Sequence, residues 1–257
     1  MQFYSGIAPF YDLVFPYDAQ QVSFLETVAD PHLARCPGVR AGKGSVSGRR
    51  MVDIGCGTGT VLSAFSERFK KLIGVDIDSE LLKRAAKKVY PGEEKKFELL
   101  LEDMSNLESV FPEEEFSLVI CLGNTLVHLT SPGKLQHFLK FVRSMLETDG
   151  VFVVQIINYD RVLDCGLRGL PTIESADITF EQYYSAVKEN GIVDYSWTLS
   201  VPEEELEISS TMPLMPLRKH VLEGYLADAG FTGVDFFGSY AGEPWKPDSL
   251  LTIAVCG

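Results

Sequence analysis

A chain of 257 residues, 46% hydrophobic and 23% charged, is long enough to bury a large core and still fold as one α/β domain. Its formal charge of −13, from 36 acidic against 23 basic residues, removes the Lys/Arg attraction on which nucleic-acid binding depends. Apolar runs such as Val151–Ile157 are too short to cross a bilayer and the start shows no secretory pattern, so the expected setting is the cytoplasm and the expected partner a small molecule.

Residues 1–48 read as an N-terminal cap and loop. Met1–Asp30 is a helical opening crowded with Phe3, Tyr4, Phe10, Tyr11, Phe15, Tyr17 and Phe24, and Pro37–Gly48 is a Gly-, Ser- and Arg/Lys-containing loop. Residues 49–158 then alternate strands with helices. Strands are expected at Met51–Gly55, Leu72–Ile77, Phe97–Leu101, Phe116–Leu122 and Val151–Ile157. The helices between them are Thr60–Phe69, Ser79–Tyr90 stopped by Pro91-Gly92, and one opened by Ser131-Pro132 and ended by Gly150.

In residues 159–215 the rhythm changes to aromatics and β-formers (Ile178–Phe180, Gln182–Tyr184, Ile192–Leu199, Leu206–Thr211), as in an antiparallel insertion lying over the site. Residues 216–257 supply a last helix, Pro216–Ala229, and two strands, Phe231–Tyr240 and Leu250–Cys256. The expected fold is a single Rossmann-like domain: a seven-stranded, mostly parallel sheet with helices on both faces and a β-rich insertion. Five scattered cysteines without a C-x-x-C pair, and four histidines without ligand spacing, give no reason to expect a metal or a disulfide framework.

Function concentrates in Val52-Asp53-Ile54-Gly55-Cys56-Gly57-Thr58-Gly59, where a strand enters, glycines turn the chain and a helix leaves. Glycine tolerates positive φ and close approach of a ligand. The spacing is G-x-G-x-G, not the G-x-G-x-x-G of dinucleotide sites, and Asp53 precedes it. A carboxylate there repels a pyrophosphate but suits the ammonium of a methionine moiety. Asp76 closes the second strand, where a carboxylate can accept from both ribose hydroxyls. That feature is shared by NAD and S-adenosylmethionine sites; Asp53 is the residue that separates them.

These residues carry a resemblance. VDIGCGTG, GVDID, LLLEDM and FSLVICLGN resemble the successive motifs of class I S-adenosylmethionine-dependent methyltransferases. The resemblance implies S-adenosyl-L-methionine as cofactor. It puts Gly55, Gly57 and Gly59 along the methionine and ribose, Asp76 on the ribose hydroxyls, Ile77 against adenine and Asp103-Met104 at the adenine amino edge, with Cys56 and Leu122 also among the cofactor-binding residues. The opening FYSGIAPFYD is similar to an N-terminal cap of small-molecule methyltransferases. Tyr4 and Tyr11, which share a face if that segment is one helix, would then reach the methionine end.

Asn124-Thr125-Leu126-Val127-His128-Leu129 and Asn158-Tyr159-Asp160 resemble segments of glycine and sarcosine N-methyltransferases, which implies Asn124 as a substrate contact. Those enzymes carry a His-Arg pair just before Asn-Tyr-Asp. Here the pair is Ile156-Ile157, which cannot bind a carboxylate and argues against glycine as acceptor. Tyr183, Tyr184, Tyr195 and Trp197 read either as a cation–π pocket or as the packed face of the small sheet.

Methyl transfer needs positioning and a dry site more than acid–base groups, and the candidate base is His128. The expected reaction is methyl transfer to a small molecule, with an amine nitrogen ahead of oxygen or carbon. An NAD-linked reductase and a non-catalytic cofactor-binding module remain as alternatives.

Overall fold

The computed structural model describes residues 4–29, 49–89, 96–112 and 115–257. The Pro37–Gly48 loop, the Pro91-Gly92 helix stop and residues 1–3 lie outside the described residues.

The main sheet contains seven strands: β1 (Arg50–Ile54), β2 (Lys71–Asp76), β3 (Phe97–Leu101), β4 (Phe116–Cys121), β5 (Leu146–Ile157), β10 (Val234–Phe237) and β11 (Leu251–Cys256). Their spatial order is β3-β2-β1-β4-β5-β11-β10. The first five run parallel, β11 is antiparallel to β5, and β10 is antiparallel to β11. The chain lays down β1, β2 and β3 toward one edge, then returns to place β4 on the other side of β1. That reversal opens a crevice at the carboxyl ends of β1 and β4, where α/β sheets bind ligands.

Both faces of the sheet are buried, because successive residues point to opposite sides. Met51, Leu72, Leu118 and Val153 face a core shared with α2 (Ala19–Ala29) and α3 (Thr60–Ala64). Val52, Ile73, Val119 and Val154 face a core shared with α6 (Pro132–Ser144) and α8 (Lys219–Asp228). Each fully buried side chain of this size contributes roughly 1.5–3 kcal/mol to folding before entropy is counted.

The insertion is a second, four-stranded antiparallel sheet, β6 (Gly169–Glu174), β7 (Thr179–Tyr184), β8 (Val193–Val201) and β9 (Leu206–Leu214), paired in that order. Its strands alternate buried and open residues. Tyr184, Tyr195, Trp197 and Leu199 are buried in the second of those cores, with Val52 and Val154, whereas Tyr183 is 49% exposed. Three of the four insertion aromatics are thus packed.

Several expected boundaries are corrected. The opening is not one helix: a 3-10 turn, Ser5–Phe10, leads into the short α1 (Tyr11–Val14), and Pro16 precedes α2. Tyr4 lies ahead of the turn, and its ring stands perpendicular to that of Tyr11 at 6.3 Å. The helix after the glycine turn stops at Ala64, and Phe65 and Phe69 pack from a following turn. Gly150 ends no helix; α6 closes at Ser144 and Gly150 lies inside β5. There the β4–β5 register jumps, and a Cβ would stand 2.7 Å from the Phe116 carbonyl oxygen, so the bulge requires glycine. The last helix starts at Lys219 and β10 spans only Val234–Phe237. β6 was not expected from sequence; Pro171 masks it, and proline is tolerated because β6 is an edge strand.

Asn158-Tyr159-Asp160 ties these layers together. Asn158 caps α7 (Tyr159–Asp164) and donates to the carbonyls of Lys246, Pro247 and Ser249. Asp160 accepts from Arg218 and from the Lys219 backbone N–H at the start of α8.

Candidate active site

The glycine turn is bolted to β2: Gly55 and Cys56 N–H both donate to the Val75 carbonyl, at 2.8 and 3.1 Å. Gly55 and Gly57 adopt φ of +79° and +54°, and each also lacks room for a side chain. A Cβ on Gly55 would run into the Thr125 side chain, and one on Gly57 would stand 3.0 Å from the Tyr11 hydroxyl. Gly59 serves packing instead, since a Cβ there would press on Ala85 of α4 (Ser79–Val89). The Gly57 N–H donates to Asp76 Oδ2 at 2.8 Å and the Asp78 N–H to Asp76 Oδ1 at 2.8 Å, which fixes the carboxylate at the end of β2.

A cavity of about 830 Å³ opens at the crevice. That lies in the upper part of the roughly 300–1,000 Å³ range of ligand sites, room for a cofactor and a small acceptor. Asp53, Gly55 and Cys56 line it from β1 and its turn, and Asp76 and Ile77 from the end of β2. Asp103 and Met104 follow β3, while Leu122 and His128 follow β4. Tyr4 and Tyr11 form the wall from the N-terminal segment. Gly57 and Gly59 lie behind this lining, as does Asn124.

Asn124 sits in the left-handed region at φ +67° with its amide engaged on both sides. Its Nδ2 donates to the Tyr159 hydroxyl and its Oδ1 accepts from the Ile157 N–H, each at 3.1 Å.

Asp53 has a different standing. It is 3% exposed, and among the described residues no hydrogen-bond donor reaches its carboxyl group. Burial, with a smaller push from Asp76, raises its pKa to about 8. A carboxyl group left without a donor at a cavity wall fits a ligand that brings a cation. Burial raises Asp76 as well, opposed by its backbone donors. His128 moves the other way: desolvation lowers it to about 4, so its imidazole is neutral near pH 7. Asp103 caps the 3-10 turn Met104–Asn106 by accepting from the Ser105 N–H at 2.8 Å.

The cavity also recruits residues that sequence reasoning missed: Asp18, Asp78, Glu102, Thr125 and Lys134. Asp78 caps α4, and the run Asp78-Ser79-Glu80 is a recognisable helix start. Thr125 carries no such signal, because its place follows from the fit against Gly55.

Residues 51–150 match the family model described as a methyltransferase domain. Residues 51–150 thus carry a methyltransferase domain, which agrees with the class I S-adenosylmethionine-dependent methyltransferase motifs in the same stretch. The methyltransferase domain is similar to glycine N-methyltransferase of Oryctolagus cuniculus, at 29% identity over 60% of this chain and 58% of that one. It is also similar to the ubiquinone biosynthesis O-methyltransferase of Rhodopseudomonas palustris, at 32% identity over 44% of this chain and 42% of that one. The chain therefore spans about half the length of these curated relatives. Its fold is that of an S-adenosylmethionine-dependent methyltransferase from Clostridium acetobutylicum, with TM-score 0.77, 19% identity and 98% of both chains covered.

S-adenosylmethionine is the cofactor of this methyltransferase domain, and the cavity fits it. Gly55 and Cys56 line the cavity, Asp76 is held at the end of β2 by two backbone donors, and Asp53 is a buried carboxyl group with no donor among the described residues. Among the described residues no helix is long and apolar enough to cross a membrane, and no cluster of metal-ligating side chains is found.

Proposed function

We propose that this chain transfers a methyl group from S-adenosylmethionine to the amine nitrogen of a small molecule. The observation that carries the reading is Asp53, a buried carboxyl group without a protein donor on the cavity wall. It would receive the ammonium of the methionine moiety. Asp76 would accept from the ribose hydroxyls, Ile77 and Leu122 would pack on adenine, and Asp103 with Met104 would border its amino edge. Gly55, Cys56 and Gly57 would follow the methionine and ribose, with Gly59 supporting the turn, and Tyr4 and Tyr11 would cover them.

Bound cofactor supplies the electrophilic methyl group, so the protein's part is to hold the acceptor in line and keep water out. The cavity wall supports an amine acceptor. Among the described residues Asp18, Asp76, Asp78, Glu102 and Asp103 line it against one cation, Lys134, which favours entry of an ammonium; its proton passes to water before the nitrogen lone pair attacks the methyl carbon. The named activity of the glycine N-methyltransferase relative agrees with nitrogen. Ile156-Ile157 leaves an acceptor carboxylate without its partner, so the favoured acceptor is an amine other than glycine. The partner is a small molecule of the cytoplasm, with neither nucleic acid nor membrane required.

A second reading rests on His128. Its neutral imidazole lines the cavity and could take the proton of a hydroxyl acceptor, as an O-methyltransferase requires. Incubation with methyl-labelled S-adenosylmethionine and separate pools of amines, amino acids and phenols decides between them. Label in an amine product, absent with Asp76→Ala, is the expected result. Label only in a phenol would replace nitrogen by oxygen, and no transfer from any pool despite tight cofactor binding would leave a binding module.

A further inference from the structure

The cofactor cavity is closed on one side by the strap that precedes α2. Tyr4, Tyr11, Val14, Phe15 and Pro16 all line the cavity from this segment. Aromatic contacts hold its outer side against the second sheet: Tyr4 stacks on Trp197 at 6.3 Å, and Phe15 meets Phe180 at 5.9 Å. Such contacts are weakly directional and tolerate sliding.

The inner side is held by a polar cluster. Asp12, next to Tyr11, accepts from Thr58 Oγ1 of the glycine turn and from Lys88 Nζ at 3.0 and 3.1 Å. Lys88 Nζ also donates to Thr58 Oγ1 at 3.1 Å and to Thr60 Oγ1 at 2.7 Å. One ammonium at the end of α4 therefore joins the strap, the glycine turn and the first residue of α3. A second tie, Ser5 Oγ to Asp78 Oδ2 at 2.6 Å, fastens the far end of the strap to the start of the same helix.

We propose that Lys88 is a positioning residue: through Asp12 it holds Tyr11 over the glycine turn and so sets how fast the cofactor product leaves. The argument rests on the cofactor reading of the cavity given above. Lys88 is absent from the cavity wall, so it acts on the ligand through its partners: Asp12 on the strap, and Thr58 and Thr60 on the wall. With the cluster intact, Tyr11 keeps its hydroxyl against Gly57, and the strap must lift before the ligand can pass. Without it, the strap keeps its aromatic contacts, its buried Ile7 and Val14 and the Ser5–Asp78 tie, but loses the anchor beside Tyr11, and opening at Tyr11 becomes more frequent. The contact is partly exposed, with Lys88 and Asp12 at 30% and 52%, so its effect is moderate and sensitive to salt.

The test is stopped-flow release of S-adenosylhomocysteine from the full chain, read by displacement with excess S-adenosylmethionine. Lys88→Met and Asp12→Asn should each speed release by about threefold to tenfold, and the double variant by no more than either alone. Lys83→Met removes the same charge from the same helix, where Lys83 pairs with Glu80 on the exposed face, and should leave release unchanged. Raising salt should speed release from the wild-type protein and from Lys83→Met but not from Lys88→Met. Unchanged release in Lys88→Met, or equal acceleration in Lys83→Met, overturns the assignment while leaving the cofactor reading standing. Failure of the wild-type protein to bind S-adenosylhomocysteine would remove both together. Should Lys88→Met fold poorly, the salt dependence of the wild-type rate decides: a rate indifferent to salt refutes the role of Lys88.

Discussion

The proposed pairing of Asp53 with the cofactor's ammonium predicts that cofactor binding is linked to a proton. An Asp53 pKa of about 8 means that near pH 7 only about one ligand-free molecule in ten carries the carboxylate, and near pH 6 about one in a hundred. An incoming ammonium pairs with the charged form, so binding draws a proton off Asp53. Between pH 6 and 7 affinity for S-adenosylhomocysteine should rise by about tenfold, roughly 1.4 kcal/mol, with close to one proton released. The rise should flatten near pH 8, where Asp53 is ionised before the ligand arrives and the ligand's own amine starts to lose its proton. Isothermal titration calorimetry in buffers of differing ionisation enthalpy measures both quantities. Asp53→Asn should bind more weakly and lose most of the slope. An affinity independent of pH between 6 and 7 without proton release, or an unchanged slope in Asp53→Asn, would refute the pairing.

The same carboxyl group bears on stability. A carboxyl pKa raised on folding favours the folded state at low pH, and that advantage is lost as pH climbs toward 8. Ligand-free Asp53→Asn should therefore melt above the wild-type protein, by a margin larger at pH 8 than at pH 5, in scanning calorimetry; on the order of 2–4 kcal/mol is at stake. Gly57→Ala, with φ of +54° and the Tyr11 hydroxyl in the way, should weaken cofactor affinity at least tenfold by titration, with a smaller loss of melting temperature. Because His128 is held near pKa 4, the pH profile of turnover should show no histidine inflection between pH 5.5 and 7.5; one abolished by His128→Gln would contradict its burial. Asn158→Ala removes a helix cap and three donated bonds, and should cost roughly 2–4 kcal/mol in denaturant unfolding with cofactor contacts intact.

The sheet was legible because its strands are short β-branched runs buried on both faces, and the glycine turn because G-x-G-x-G between a strand and a helix has few other uses. Ends of elements were less legible where tertiary contacts overrule local signals. Gly150 looked like a helix stop, yet it is required by the close approach of Phe116 across a bulge. β6 was not anticipated at all: Pro171 interrupts its pattern, and it is accommodated where the β6–β7 register shifts on an edge strand.

At the site, Asp53 and Asp76 could be read from their offsets to the glycines. Asn124 shows the limit of that reading. Its likeness to a substrate contact was readable, whereas its bonds to Ile157 and Tyr159 became visible only once β4 and β5 lie side by side. The Lys88 cluster had no signal either, since its members come from distant parts of the chain and meet only when the strap closes.

A crystal structure of the full chain with S-adenosylhomocysteine tests the central claim most directly. The account predicts the ligand in the cavity, its amine within hydrogen-bond distance of Asp53 Oδ and its ribose hydroxyls on Asp76. A ligand bound elsewhere, or seated in the cavity with its amine turned away from Asp53, would contradict it.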